Sequence, residues 1–228
     1  MTLFDDPDAP SRQDEADRPP PPIPDRLSFK ALREAAQNCR ACELYEGATQ
    51  AVMGTGPAPG KARLMLVGEQ PGDREDIEGL PFVGPAGRVL DQGLERAGIA
   101  RADAYVTNVV KHFRYKARGK RRIHQTPERV HVAACRPWLQ AELELVGPRA
   151  LVCLGATAAQ ALLGSKIRIG RDRGQRMDSD LADLVTLTTH PSAILRQRDD
   201  AERGAAMDAF VADLQTVAAW LEHDERNR

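Results

Sequence analysis

Cysteine and aromatic residues are both scarce in this 228-residue chain, which has four cysteines and only 4% Phe, Trp and Tyr together. So few cysteines exclude a disulfide-stapled secreted scaffold, and their spacing becomes a sharper signal than their number. Long apolar runs are missing, and the start Met1-Thr-Leu-Phe-Asp-Asp6 is acidic rather than basic. Neither a membrane span nor a secretory signal is therefore expected, and a reducing cytoplasm is the expected location. Excess charge of one sign is lacking as well, with a net charge of −1 at pH 7. That balance hides an asymmetry. Residues 1–25 carry seven acids against Arg12 and Arg18, which leaves 26 acids and 30 bases for the rest, a mildly basic remainder.

What is present begins with how the four cysteines fall. Cys39-Arg40-Ala41-Cys42 is a tight pair, and Cys135 and Cys153 follow far downstream. A CxxC turn lets two thiolates converge on one centre, and four sulfurs suit either tetrahedral zinc or an iron–sulfur cluster. Buried free thiols and a redox CxxC pair are the competing readings. No cysteine is left over, which favours a shared centre.

Residues 1–24 hold Pro7, Pro10, the run Pro19 to Pro22, and Pro24, with few apolar side chains. Such a segment cannot bury enough surface to offset its ordering entropy, so residues 1–27 read as a disordered, acidic, Pro-rich tail and 28–228 as a single domain. Ser28 is placed to cap a helix over 29–38 that delivers Cys39. Apolar runs at 63–68, 104–110, 150–154 and 184–188 read as buried parallel strands. Helices are expected over 85–97, from Thr126-Pro127 to Gly147, from Gly155, and along a closing amphipathic stripe through Phe210, Leu214, Val217 and Leu221. The alternation predicts a three-layer α/β/α sandwich around a central four-stranded parallel sheet, with its ligand crevice beyond the carboxyl ends of the strands.

Three of those ends run into polar sequence. Gly68-Glu69-Gln70-Pro71-Gly72-Asp73 permits a tight turn whose N–H groups can cradle an anion or a carbonyl, although most such turns only pack. Gly60-Lys61 fails as a phosphate-binding loop, because Thr55 and Ala62 stand where Gly and Ser/Thr are needed. Asn108 offers a donor and an acceptor to the edge of a base, or else caps a loop. His190-Pro191-Ser192 fixes a histidine that donates either to a developing anion or to a nearby carbonyl. Between residues 111 and 122 stand seven bases and no acid, interleaved with Phe113 and Tyr115. A solvated loop is the plain reading of that stretch, and a grip on a nucleic-acid backbone with unstacked bases is the functional one.

Taken in order, these pieces resemble the uracil-DNA glycosylase superfamily, and within it the iron–sulfur branch (family 4). The resemblance runs from Cys39 to the last helix. It rests on the CxxC with two distant cysteines, the turn Gly68–Gly72, Gly79-Leu-Pro-Phe-Val-Gly-Pro-Ala-Gly87, Thr107-Asn108 and His190-Pro-Ser192. Glu69-Gln70 and the insertion ending Lys120-Arg-Arg-Ile-His124 are similar to the UdgX subfamily, which cross-links itself to uracil-containing DNA through a loop histidine. The resemblance implies a structural [4Fe-4S] cluster on Cys39, Cys42, Cys135 and Cys153, with zinc the alternative on ligand identity. It implies catalytic roles for His124 as nucleophile, Glu69 as its partner and His190 as donor to the departing uracil. Gln70, Asp73, Phe82 and Asn108 are then expected to hold the flipped base, and Lys120, Arg121, Arg122 and Ser192 to contact the DNA. The expected partner is uracil-containing DNA, preferably single-stranded, with free uracil as product and no membrane; the expected state is a monomer acting at the nucleoid. An ordinary multiple-turnover glycosylase and a non-catalytic iron–sulfur nucleic-acid binder are the alternatives.

Overall fold

The computed structural model describes residues 19–227. Residues 1–18 of the expected tail lie outside them. Within the remainder of that tail, Ile23 and Leu27 pack against a buried cluster of Leu32, Ala36, Trp138 and Ala141. The ordered chain thus starts before Ser28, because two apolar side chains in the Pro-rich segment find a surface to cover.

Ser28 accepts a hydrogen bond from Ala31 N at 3.1 Å and opens α1 (Phe29–Ala36), which leads to the cysteine turn and a single turn α2 (Leu44–Gly47). Strand β1 (Leu64–Gly68), α3 (Asp73–Glu78), α4 (Pro85–Arg96) and β2 (Ala104–Asn108) follow. The basic stretch, expected as an open loop, is instead an antiparallel hairpin of β3 (Tyr115–Arg118) and β4 (Arg121–His124), paired from Tyr115 with His124 to Arg118 with Arg121. Next come α5 (Arg129–Val146), β5 (Ala150–Leu154), α6 (Ala156–Leu163), α7 (Ile169–Asp172), β6 (Leu184–Thr188), α8 (Pro191–Leu195) and α9 (Asp200–Arg226). Helix α5 starts later than the Thr126-Pro127 signal suggests. Glu128 takes the capping position, exchanging bonds with His131, whose Nδ1 accepts from Glu128 N at 2.9 Å. No helix among the described residues is long and apolar enough to cross a membrane.

Strands β1, β2, β5 and β6 form one parallel sheet in the order β2-β1-β5-β6, flanked by helices as the sequence predicts. Leu64 and Leu66 face Leu90, Leu94, Phe210 and Leu214 of α4 and α9. Met65 and Val67 face Leu139, Ala158 and Leu162 of α5 and α6. Both faces are covered, which is why the strands read as continuous apolar runs rather than alternating ones.

An ion pair sits inside this apolar frame. Lys111 Nζ lies 2.6 Å from Glu142 Oε2, with the two side chains 1% and 0% exposed. Glu142 also accepts from Gly54 N, the Tyr105 hydroxyl and Thr107 Oγ1, and Lys111 donates to Thr107 Oγ1 and Asn108 O. Lys111, counted among the bases that face nucleic acid, is therefore committed to the core. A charge without its partner there has no solvent to turn to. Glu142→Ala is expected to destabilise the fold by about 3–5 kcal/mol in urea denaturation, and adding Lys111→Met should recover much of the loss. A loss under 1 kcal/mol would mean that the pair contributes nothing.

Candidate active site

Strand register brings the polar ends together. Gly68 pairs with Asn108 and Leu154 with Thr188, so Glu69, Asn108, the start of α6 and His190 share one edge of the sheet. Between β1 and β5 the order of connection reverses, which is where such sheets open a crevice.

One wall of that crevice is aromatic. Phe82 is buried at φ 57°, a left-handed conformation uncommon for a bulky residue. Gly87 makes room for it, since a Cβ there would lie 1.7 Å from Phe82 O. At Gly68 an added Cβ would stand 2.4 Å from Asn108 Oδ1 and 2.6 Å from the Phe82 ring, so only glycine lets the two side chains approach. Asn108 is 2% exposed, and its Oδ1 is a buried acceptor with no partner among the described residues. Such an orphaned atom is costly unless a ligand satisfies it. An aromatic wall beside an empty acceptor suits a planar heterocycle that carries an N–H.

His190 closes the far side and caps α8. Its Nδ1 accepts from Ser192 N at 3.1 Å and from the Ser192 hydroxyl at 2.8 Å, while Arg196 donates to Ser192 Oγ at 2.9 Å. With Nδ1 occupied as acceptor, the proton belongs on Nε2, and the ring is a donor. Burial pushes its pKa down to about 4, and the charges of Arg196 and His124 act in the same direction. Ser192 holds this tautomer. Arg196 escaped the sequence reading, and only its place one turn beyond the His-Pro-Ser run hinted at it.

The hairpin is fastened at two places. Gln70 is buried, and its Nε2 donates to Arg114 O at 3.1 Å and Gln125 O at 3.0 Å, while its Oε1 accepts from Arg114 N at 3.0 Å. This side chain clasps the two ends of the hairpin together. Arg122 lies 2.6 Å from Asp73 Oδ1 and 2.5 Å from Asp76 Oδ2, with its guanidinium over the Phe113 and Tyr115 rings. Asp76 is fully buried and also accepts from Thr49 N and Oγ1. Arg122 and Asp73, expected at DNA and substrate, are thus engaged with each other as a latch. Arg114 is held by Glu128. Of the seven bases, Lys116, Arg118, Lys120 and Arg121 remain exposed on the hairpin.

His124 ends β4 with Nε2 3.3 Å from Glu69 Oε1; its side chain is 49% exposed and that of Glu69 21%. Burial lowers its pKa, with Arg196 adding to the effect and Glu69 opposing it. The other oxygen of Glu69 accepts a short hydrogen bond from the Thr157 hydroxyl at the start of α6, a residue the sequence reading passed over as part of a helix start. Glu69, His124 and His190 are therefore brought to one mouth, with the rings kept neutral.

Cys42, Cys135 and Cys153 lie in the core cluster on the α5 face of the sheet, and Cys39 in the adjoining cluster around Trp138. Trp138 Nε1 donates to Cys39 Sγ at 3.3 Å, and Lys111 N to Cys135 Sγ at 3.5 Å. Burial pushes the Cys135 thiol up to about 12, with Cys42 and Cys39 adding to the rise and Lys111 opposing it, so these three groups sense one another. Cys153 reaches about 12 through burial alone, in the middle of β5 opposite Val67 and Leu187. His112, absent from the sequence expectations, is 4% exposed, and its ring makes no hydrogen bond among the described residues. It senses Arg40 of the cysteine turn and Asp76. Among the described residues no group of three or more His, Cys, Asp or Glu closes around a single metal ion. The donor chemistry of three buried sulfurs, two N–H groups aimed at them and an unpartnered imidazole nearby still fits a cluster site, with Cys153 the least connected of the four expected ligands.

A three-layer α/β domain with an aromatic ring beside an orphaned acceptor at its strand ends has the means to hold a planar heterocycle there. Comparison with known proteins makes this specific. Residues 53–215 match the family model of the uracil DNA glycosylase superfamily. The Type-4 uracil-DNA glycosylase of Thermotoga maritima is 38% identical over 197 residues, spanning 86% of this chain and 96% of its own. That of Pyrobaculum aerophilum is 35% identical over 178 residues, spanning 75% and 86%. That of Archaeoglobus fulgidus is 42% identical over 123 residues, spanning 54% and 57%. The chain belongs to the uracil DNA glycosylase superfamily.

Arg196 holds down the proton affinity of both site histidines. Arg196→Ala is expected to raise both titration midpoints towards the ordinary value near 6.5, as followed by nitrogen-detected NMR of the imidazoles. His190 should stay in the Nε2–H form, charging only as the pH falls well below 6. A His190 ring protonated at both nitrogens at pH 7 would contradict the assigned donor.

Proposed function

We propose that the protein excises uracil from DNA and then captures the resulting sugar on His124, turning over once in the manner of the UdgX subfamily. The observation that carries this reading is the 3.3 Å approach of the His124 ring to the Glu69 carboxylate. It occurs at the end of a hairpin that Gln70 clasps beside the base slot.

To expose its glycosidic bond the nucleotide leaves the stack. Phe82 stacks on the flipped ring. The orphaned acceptor of Asn108 takes the N3–H of uracil and its amide N–H the O4, an edge pattern opposite to that of cytosine. As the C1′–N1 bond breaks, its electron pair leaves with the uracil, and Nε2–H of His190 donates to the oxygen that gains charge. Such a donor is worth about 3–4 kcal/mol in comparable sites. The sugar becomes oxocarbenium-like at C1′. The lone pair of the neutral His124 nitrogen facing the sugar forms the new C–N bond, and the proton on the other nitrogen is shared with Glu69, which stabilises the imidazolium. Uracil takes its proton from solvent and departs. Loss of the second ring proton through Glu69 leaves a neutral N-substituted imidazole, a poor leaving group, so water does not release the sugar and the protein turns over once.

Lys116, Arg118, Lys120 and Arg121 supply a phosphate grip beside the slot, and single-stranded DNA offers the base without an unpairing penalty. The protein works as a monomer in the cytoplasm, on nucleoid DNA. Cys39, Cys42 and Cys135 hold a [4Fe-4S] cluster with His112, rather than Cys153, as fourth ligand. Bound there, the cluster ties the N-terminal segment to α5 as a structural element. An ordinary multiple-turnover glycosylase is the second reading, favoured by relatives such as the 38% identical Type-4 uracil-DNA glycosylase.

Mixing the protein with uracil-containing single-stranded DNA, heating, and running a denaturing gel should leave a shifted band, with one uracil released per protein molecule. More than one equivalent without a band would establish the second reading. His124→Ser is expected to abolish the band. If the band persists in that variant, another residue is the nucleophile. For the metal centre, His112→Ala should lower iron and sulfide per chain and the visible absorbance, while Cys153→Ala leaves them intact. The reverse result would return the fourth place to Cys153.

A further inference from the structure

We propose that Thr157 is a positioning residue, whose hydroxyl fixes the Glu69 carboxylate against the His124 imidazole across the switch point of the sheet. The inference rests on the capture reading above and deepens it.

Glu69 follows β1 and Thr157 follows β5, the two strands between which the order of connection reverses. The Thr157 hydroxyl donates to Glu69 Oε2, and Glu69 Oε1 faces His124 at 3.3 Å. One carboxylate therefore bridges a rigid helix start and the end of a hairpin. Its two oxygens have separate jobs. Glutamate has three freely rotating side-chain bonds, and a 21% exposed carboxylate without a second anchor has water to turn towards. With Oε2 held, Oε1 has one direction left, and that direction meets the ring. Thr157 stands at the second position of α6, where the helix N-terminus also favours a nearby negative charge. Its own hydroxyl touches nothing else among the hydrogen bonds of the described residues.

His124 is faced by Glu69 from the end of β1, by Arg196 beyond α8 and by His190 from the end of β6. Of these groups only Glu69 favours its charged form. Freeing Glu69 should therefore make the ring harder to protonate and move the acid limb of adduct formation to lower pH. A merely packing role for Thr157 would lower the rate without moving that limb.

The test compares the full-length protein with Thr157→Val, which keeps the shape and loses the hydroxyl, and Thr157→Ser, which keeps the hydroxyl. Single-turnover adduct formation on uracil-containing single-stranded DNA is followed across pH 4–8, roughly the span around an ordinary imidazole pKa. In parallel, the His124 ring is titrated by NMR without DNA. Thr157→Val is expected to slow the adduct roughly 10- to 100-fold, the usual effect of removing a charge-assisted second contact. It should also lower the His124 midpoint, and Thr157→Ser should restore most of both. A wild-type rate and an unmoved midpoint in Thr157→Val would overturn the proposal. So would equal slowing in both variants with no change in midpoint. If the unaltered protein forms no adduct at all, the capture reading falls by itself, and the midpoint of His124 in Thr157→Val still decides whether the hydroxyl holds Glu69.

Discussion

Three hydrogen bonds made by one buried amide help fix where the His124 end of the hairpin lies. Gln70 reaches Arg114 and Gln125, the residues flanking β3 and β4, at 3.0–3.1 Å. Each such bond contributes only about 1 kcal/mol net, but a buried amide left unpaired would lose about 1–3 kcal/mol, so the clasp stays closed. Its neighbour Glu69 points the other way, into the crevice. Two adjacent residues after one strand thus divide the work: one holds the hairpin and the other meets the histidine the hairpin presents. Swapping either for a small residue would separate position from chemistry. The clasp and the Glu69–His124 pair are a single arrangement written across two distant stretches of chain.

That device would be useless on a soft base. The strand ends keep their spacing because both faces of the sheet are covered and because Lys111 and Glu142 lock β2 to α5 from within. Asn108 inherits this rigidity through its own carbonyl, which accepts from Lys111 Nζ at 2.5 Å. Its side chain can then keep a buried acceptor unpaired without collapsing onto a neighbour. Gly68 and Gly87 contribute by having no side chain where Phe82 and Asn108 need the room. The strain at Phe82 is held by the same crowding.

The sheet was legible because parallel strands buried on both faces leave continuous apolar runs, and the residues just past them stood out as polar. Glu69, Asn108 and His190 were found in that way. The hairpin was not, since Tyr115 to His124 carries too much charge to show the alternation of a strand, and its pairing depends on Gln70 and Asp73 forty or more residues upstream. Charge counts alone could not tell Lys116, which is exposed, from Lys111, which is buried, because partners such as Glu142 and Asp76 are set by tertiary structure. Cysteine spacing carried no sign that burial alone raises the Cys153 thiol, set in a strand, while Cys135 also senses Cys42 and Cys39. His112 was hidden inside the basic run, where its burial left no trace. Thr157 looked like any small residue at a helix start.

Lys111 touches two things at once. Its main-chain N–H meets the sulfur of Cys135 at 3.5 Å while its ammonium holds the carbonyl of Asn108. The surroundings of Cys135 and the backbone of Asn108 therefore meet at a single residue. A shift at Cys135 therefore has a direct route through Lys111 to the strand end that carries Asn108. Were the proposed cluster bound there, seating it and setting the strand-end acceptor would share one strut.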